Sequence, residues 1–209
     1  MKRVLVTMRE ITSEYGGRRS ALDHEYVAWL RQAGALPLPV PVETDPRWIA
    51  HYLKETDALV LSGGGPVAQR IEEAKTGRVW HHARDATEAA LLKAALGRIP
   101  VVAICRGFEF VNLYFGGSLR SVSGHVRTSH RLRSDDPLWS GITVNSYHDF
   151  GITKEDLASA LRIVAWAEDG AVEVFEAKDA ALLGVQWHPE RPGAEEGAVS
   201  VMRWLKERW

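Results

Sequence analysis

Cys105 is the one cysteine in the chain. It stands between an apolar run, Ile99-Pro100-Val101-Val102-Ala103-Ile104, and a segment patterned as a helix start, Arg106-Gly107-Phe108-Glu109-Phe110. A strand turning sharply into a helix lifts one side chain clear of the sheet and aims the first helical N–H groups at whatever that side chain attacks. The positive end of a helix also favours the thiolate, the nucleophilic form of a cysteine. Toward the C-terminus a second apolar run, Leu182 to Trp187, ends in His188-Pro189-Glu190. Cysteine, histidine and glutamate in this order supply a nucleophile, a base and an orienting group. Taken singly, a cysteine is more often a small buried hydrophobe, and a His-Pro-Glu more often a surface turn. Here both sit at the end of an apolar strand, and that shared placement favours chemistry. A third run, Asp57-Ala58-Leu59-Val60-Leu61, leads into Ser62-Gly63-Gly64-Gly65-Pro66. Three glycines bend the backbone tightly and present N–H groups free of side chains. Gly64 and the backbone N–H of Arg106 are therefore candidate donors for an oxyanion hole.

Ala103-Ile104-Cys105-Arg106-Gly107-Phe108-Glu109 and Val185-Gln186-Trp187-His188-Pro189-Glu190 resemble the two signature motifs of class I glutamine amidotransferase-like proteins. The similarity is strongest to the γ-glutamyl hydrolase branch (γ-glutamyl-γ-aminobutyrate hydrolase, peptidase C26-like). Arg84-Asp85 through Glu88, Gly124-His125-Val126 with His130, and Val144-Asn145-Ser146-Tyr147-His148 are similar to that branch as well. The run from Arg9 to Pro41, with Arg18-Arg19-Ser20-Ala21-Leu22-Asp23, resembles a short-chain subgroup that acts on γ-glutamyl-CDP-amidate. The resemblance implies that Cys105 attacks a side-chain γ-carbonyl and that His188 protonates the departing amine. Glu190 then holds the imidazole, and water releases glutamate from a thioester. It implies no cofactor. Two residues depart from the pattern: Ala103 replaces a glycine, and Glu109 replaces a glutamine that helps bind the glutamyl group. A carboxylate at Glu109 would repel an α-carboxylate or attract an α-ammonium. The candidate substrate contacts are Glu109, His125, Arg127, His130 and His148. Arg127, Arg131 and Arg133 form a basic stretch that would suit a diphosphate, although such stretches are more often solvated loops. Two other readings remain open: a glutaminase subunit delivering ammonia to a synthase partner, and a non-enzymatic binding module on the same fold.

With 209 residues, 45% of them hydrophobic and 25% charged, the chain suits one α/β domain spanning residues 1–209. A net charge of -1 offers no basic field for nucleic acid or an anionic membrane. The lone cysteine and the short apolar run after Met1-Lys2-Arg3 lead us to expect a cytoplasmic protein acting on a small molecule, with a homo-oligomer left open. The eight histidines are spread along the chain without a helical ligand pair, so no metal is expected, and the adjacent His81 and His82 read as an exposed loop. Trp80 and Trp187 are candidates to wall a pocket; the other tryptophans read as packing.

The elements that must position these groups follow from periodicity. We expect a strand at Val4–Val6 and a helix from Ala21 to Ala33 stopped by Gly34. An extended, proline-punctuated segment should follow at Leu36–Val42, and Asp45-Pro46 should start a helix. Then come the Ala58–Leu61 strand and a helix from Asp85 to Leu96, opened by a capping box of Asp85 and Glu88. This rhythm predicts an α/β fold whose mostly parallel central sheet carries helices on both faces, flavodoxin-like. Shorter alternating strands at 143–148, 161–167 and 172–177, with a turn at Glu168-Asp169-Gly170, predict a small antiparallel section before the last core strand. Ser118 to Ser134 reads as a polar loop, and a final helix is expected from about Ala194 to Arg208.

Overall fold

The computed structural model describes residues 1–42, 44–65, 67 and 82–209. Seven strands form the central sheet in the order β11-β12-β13-β6-β5-β1-β4. Five of them run parallel: β13 (Leu182–Val185), β6 (Val101–Ile104), β5 (Ala58–Leu61), β1 (Lys2–Thr7) and β4 (Ala35–Val40). β12 (Val172–Ala177) and β11 (Leu161–Trp166) extend the β13 edge antiparallel, joined by a turn in which Gly170 has φ 90°. Pro37 and Pro39 fall in β4 at the opposite edge, where a strand needs hydrogen bonds on one side only.

Alternation along the buried strands sends neighbouring residues to opposite layers. Val4, Val6, Val60, Val102 and Ile104 pack with α1 (His24–Gln32) and α5 (Glu195–Lys206). Leu5, Leu59, Leu61, Val101 and Ala103 pack with α2 (Pro46–Lys54), α3 (His82–Ala95) and α4 (Arg106–Tyr114). The α/β architecture with helices on both faces is thus as expected.

Several boundaries differ, each for a local reason. Asp45 caps α2 by accepting the Arg47 N–H at 2.9 Å, as its position predicts. Helix α1 starts only at His24, because Ala21 belongs to a hairpin absent from the sequence reading: β2 (Arg9–Thr12) with β3 (Arg18–Ala21). Helix α3 begins at His82, so Asp85 and Glu88 lie within it and form no capping box. The segment expected as a polar loop contains β7 (Arg120–Ser121), paired with β10 (Phe150–Gly151), and β8 (Val126–Arg131), paired with β9 (Thr143–Tyr147). Trp187 is fully buried, its ring edge-on to Trp139. Trp80 and His81 lie outside the described residues. Among the described residues no helix is long and apolar enough to cross a membrane.

Candidate active site

The neighbouring parallel strands β13, β6 and β5 end on the same side of the sheet, and their carboxyl ends deliver the three sequence motifs to one place. Cys105 follows β6 directly and precedes the first residue of α4. Its φ of 51° and ψ of −104° are rarely adopted by a side-chain-bearing residue and cost about 1–3 kcal/mol. The turn is held from both sides: the Cys105 N–H donates to Val185 O at 2.9 Å, and the Glu109 N–H donates to Cys105 O at 3.0 Å. A strand-bonded amide and a helical carbonyl on one residue enforce the sharp turn. Gly107 permits it, since a Cβ there would lie 2.4 Å from the Leu61 carbonyl oxygen.

His188 lies opposite. Its Nδ1–H donates to Glu190 Oε1 at 2.6 Å, and the ring shares the cleft with Cys105. Asn145 clamps the histidine backbone, accepting its N–H at 3.0 Å and donating to its carbonyl at 2.9 Å. Burial alone would discharge the ring. The negative charge of the Cys105 thiolate, followed by Glu190, instead pushes its pKa up to about 10. A protonated imidazole held by a carboxylate has the chemistry to protonate a leaving amine.

The glycine loop after β5 packs against this pair. A Cβ on Gly63 would come within 2.7 Å of His188 Cε1, so the ring takes its position only over glycine. Gly64, with φ 82°, and Arg106, the first residue of α4, both line the cleft of about 290 Å³ around Cys105. The first N–H groups of a helix have no intrahelical partner, so the Arg106 amide is suited to donate into the cleft.

Sequence reasoning missed the supports of this loop. Tyr26 on α1 accepts the Gly63 N–H at 2.8 Å. Its hydroxyl is held well above the usual tyrosine range, first by burial and then by the charge of Glu190. Arg84 on α3 donates to the carbonyls of Ser62 at 2.6 Å and Gly64 at 2.5 Å. Its guanidinium is paired with Glu88, which also binds Arg106 and accepts the Thr7 hydroxyl at 2.7 Å. Burial alone would raise the Glu88 pKa, yet Arg106 and Arg84 hold it below the usual carboxylate range. Arg84 to Glu88 was visible only as a similar patch, because the contacts it makes are distant in sequence.

Of the predicted substrate contacts, Glu109 and His148 line the cleft. Glu109 is buried rather than solvated, 3.5 Å from the Gln186 amide that donates to it. His125 and His130 do not reach the cleft; they gather with His148 and Glu173 in a buried cluster. Arg127, Arg131 and Arg133 are not among the described residues lining it. Arg133 pairs with exposed Glu168 at 2.7 Å. Arg191 also lines the cleft, its guanidinium 5.5 Å from the centre of the Tyr147 ring and 3.4 Å from Asp23. Asp23 also binds Arg9 at 2.7 Å, and Arg9 lies against Gly64.

The Peptidase C26 family matches residues 5–190, and the chain belongs to that family. It is 31% identical to Protein NtpR of Enterococcus hirae over 79% of each chain. It is 29% identical to the γ-glutamyl-CDP-amidate hydrolase of Campylobacter jejuni, over 82% of this chain and 77% of the relative. It is 28% identical to the γ-glutamyl-γ-aminobutyrate hydrolase PuuD of Escherichia coli, over 90% and 85%. The crystal structure of a glutamine amidotransferase from Thermotoga maritima superposes with a TM-score of 0.62 at 20% identity, covering 99% of this chain and 81% of the other, and shares the fold.

Proposed function

We propose that this Peptidase C26 protein is a cysteine-dependent hydrolase that splits a γ-glutamyl amide into glutamate and an amine. The observation that carries the reading is Cys105 in a left-handed turn, sharing one cleft with a His188 that Glu190 holds at 2.6 Å. The thiolate attacks the γ-carbonyl, and the amide nitrogen leaves with the His188 proton. A water, deprotonated by the then neutral His188, opens the thioester and releases glutamate and the free thiol. The amides of Arg106 and Gly64 receive the oxyanion; each such donor is worth about 2.7–4 kcal/mol in the transition state. At the floor of the cleft, the Glu109 carboxylate meets the α-ammonium of the glutamyl group, which accounts for a glutamate at that position.

A second observation bears on the leaving side. Arg191 and Arg9 place two guanidinium groups around Asp23 beside the cleft and the glycine loop. They would suit a leaving group bearing a diphosphate, which favours γ-glutamyl-CDP-amidate over γ-glutamyl-aminobutyrate. Small-molecule turnover by the isolated chain separates this reading from an ammonia-delivering subunit, which is nearly silent without its synthase.

The test is covalent trapping with a glutamine-like electrophile, followed by kinetics on both amides. One adduct on Cys105, absent from Cys105→Ala, and hydrolysis by the chain alone are expected. With γ-glutamyl-CDP-amidate, Arg191→Met should raise KM with little change in kcat. Undiminished turnover in Cys105→Ala would overturn the hydrolase mechanism, whereas equal handling of both amides by wild type and Arg191→Met would overturn only the leaving-group assignment.

A further inference from the structure

We propose that His125, His130, His148 and Glu173 form a binding site for a divalent transition metal, best matched by Zn²⁺, that ties the β8–β9 hairpin to the central sheet. The four residues come from separate places in the chain: just before β8, within β8, just after β9, and within β12. His125, His148 and Glu173 are almost completely buried. One donor atom from each of the four lies within 4.8 Å of all the others.

The atoms that face one another are the ones without partners. His125 Nδ1, His130 Nε2, His148 Nε2 and both carboxylate oxygens of Glu173 are buried and make no hydrogen bond with any described residue. Such a set is costly, since each buried polar atom without a partner forfeits about 1–3 kcal/mol. An imidazolium–carboxylate pair is the competing account. Its contacts are long: Glu173 Oε1 lies 3.6 Å from His125 Nδ1 and 3.5 Å from His148 Nε2, within ion-pair range but beyond an ordinary hydrogen bond. Those separations suit a shared cation instead. Zinc bonds of about 2.0–2.1 Å in a tetrahedron set ligand atoms about 3.3–3.4 Å apart, so slight contraction closes these edges.

The outer faces of two rings are fixed as metal ligands require. His148 Nδ1–H donates to the Phe150 carbonyl at 2.7 Å, which leaves the Nε2 lone pair directed inward. His125 Nε2–H donates to Asp169 Oδ2 at 2.8 Å, an outer carboxylate that orients the ring and raises its basicity. Three imidazoles and one carboxylate match zinc in donor type as well as number. A cleft of about 240 Å³ bordered by His125, His130 and Asp169 gives an ion access from solvent.

Four protein ligands complete a tetrahedral shell and leave no position for substrate, so the metal is structural. The need for it is local. A two-stranded hairpin such as β8–β9 is marginal by itself, and it carries Tyr147, whose ring packs 5.9 Å from His188. A metal held jointly by the hairpin and Glu173 of β12 would fix this wall of the cleft.

The full-length protein, freed of metal by chelation, should be titrated with Zn²⁺, and separately with Co²⁺ while the visible spectrum is recorded. We expect one equivalent to bind, with the intense visible bands of tetrahedral Co²⁺. Cys105→Ala should keep this binding, which separates the site from the nucleophile. His130→Asn should lose it. Asp169→Asn, a change at a half-exposed residue, should weaken affinity by about 10–100-fold. Failure of wild type to bind one equivalent overturns the proposal. So does undiminished binding in His130→Asn or, if that variant does not fold, in Asp169→Asn.

Discussion

Replacing Cys105 with alanine should change the charge state of another residue, His188. In the intact site the His188 pKa rises from 6.5 to about 10, against a burial that would lower it. At about 1.4 kcal/mol per pKa unit, that rise represents about 5 kcal/mol of preference for the imidazolium. Cys105 raises it most, ahead of the hydrogen bond and the charge of Glu190 taken singly. Removing the sulfur should therefore take away more than half of the rise, a drop of about 2 units or about 3 kcal/mol. Burial then works against Glu190 alone, and the ring should titrate about 2 units below its wild-type midpoint. The assay is an NMR titration of the His188 Cε1–H signal, assigned by its disappearance in His188→Gln. The same reasoning fixes the sign of the activity profile. His188 must be protonated to release the amine, so kcat/KM should hold through neutral pH and fall as pH approaches 10. Glu190→Gln should move that alkaline limb downward while harming turnover less than His188→Ala does. A wild-type midpoint near 6.5, or one unchanged in Cys105→Ala, would refute the ion pair.

Two further outcomes test the supports of the site. Gly63→Ala puts a methyl carbon 2.7 Å from His188 Cε1 and 3.4 Å from Cys105 Cβ. The ring must shift by several tenths of an ångström, and kcat should fall by at least tenfold while the denaturation midpoint changes little. Glu88→Gln leaves the buried guanidinium groups of Arg84 and Arg106 facing each other without their shared counter-charge. Loss of one partner from a buried ion pair costs about 3–5 kcal/mol, measurable by urea denaturation, and kcat should fall too as Arg84 loosens its hold on Ser62 and Gly64.

What could be read from the sequence was whatever local pattern dictates. An apolar run followed by Cys105, another followed by His188, and a third followed by glycines each declare a strand and its end within about ten residues. The parallel order then brings those ends together without further information. The β2–β3 hairpin escaped because no residue of Arg9–Thr12 or Arg18–Ala21 is buried and most are polar, so neither carries an apolar alternation to mark it. Asp85 and Glu88 show the opposite failure. Their spacing fits a capping box, but α3 starts a turn earlier and Glu88 is recruited by Arg106 and Thr7 from other elements. Capping is a local preference worth about 1 kcal/mol, and a buried, doubly paired carboxylate overrides it.

Glu173 carries this logic furthest. In sequence it is one polar residue in an alternating strand, and alternation alone would turn it toward water. Its strand, however, is covered on both faces, as the complete burial of Val172, Val174 and Phe175 around it requires. A carboxylate in such a strand must find positive charge or a metal, and the groups the fold offers are His125 and His148, with His130 beside them. None of the three is closer than 25 residues to Glu173 in the chain, so no spacing rule for metal ligands could have joined them. The histidines were legible as residues similar to the family, and their common purpose became legible only when β12 placed a buried charge among them. A site assembled around one sheet strand and one separate hairpin should also respond to either part. Any substitution that frees the hairpin, including Asn145→Ala, which removes its amide from the His188 backbone, should weaken metal binding and slow amide hydrolysis together. Independent changes in the two would mean that the cluster and the cleft, though they share His148, are mechanically separate.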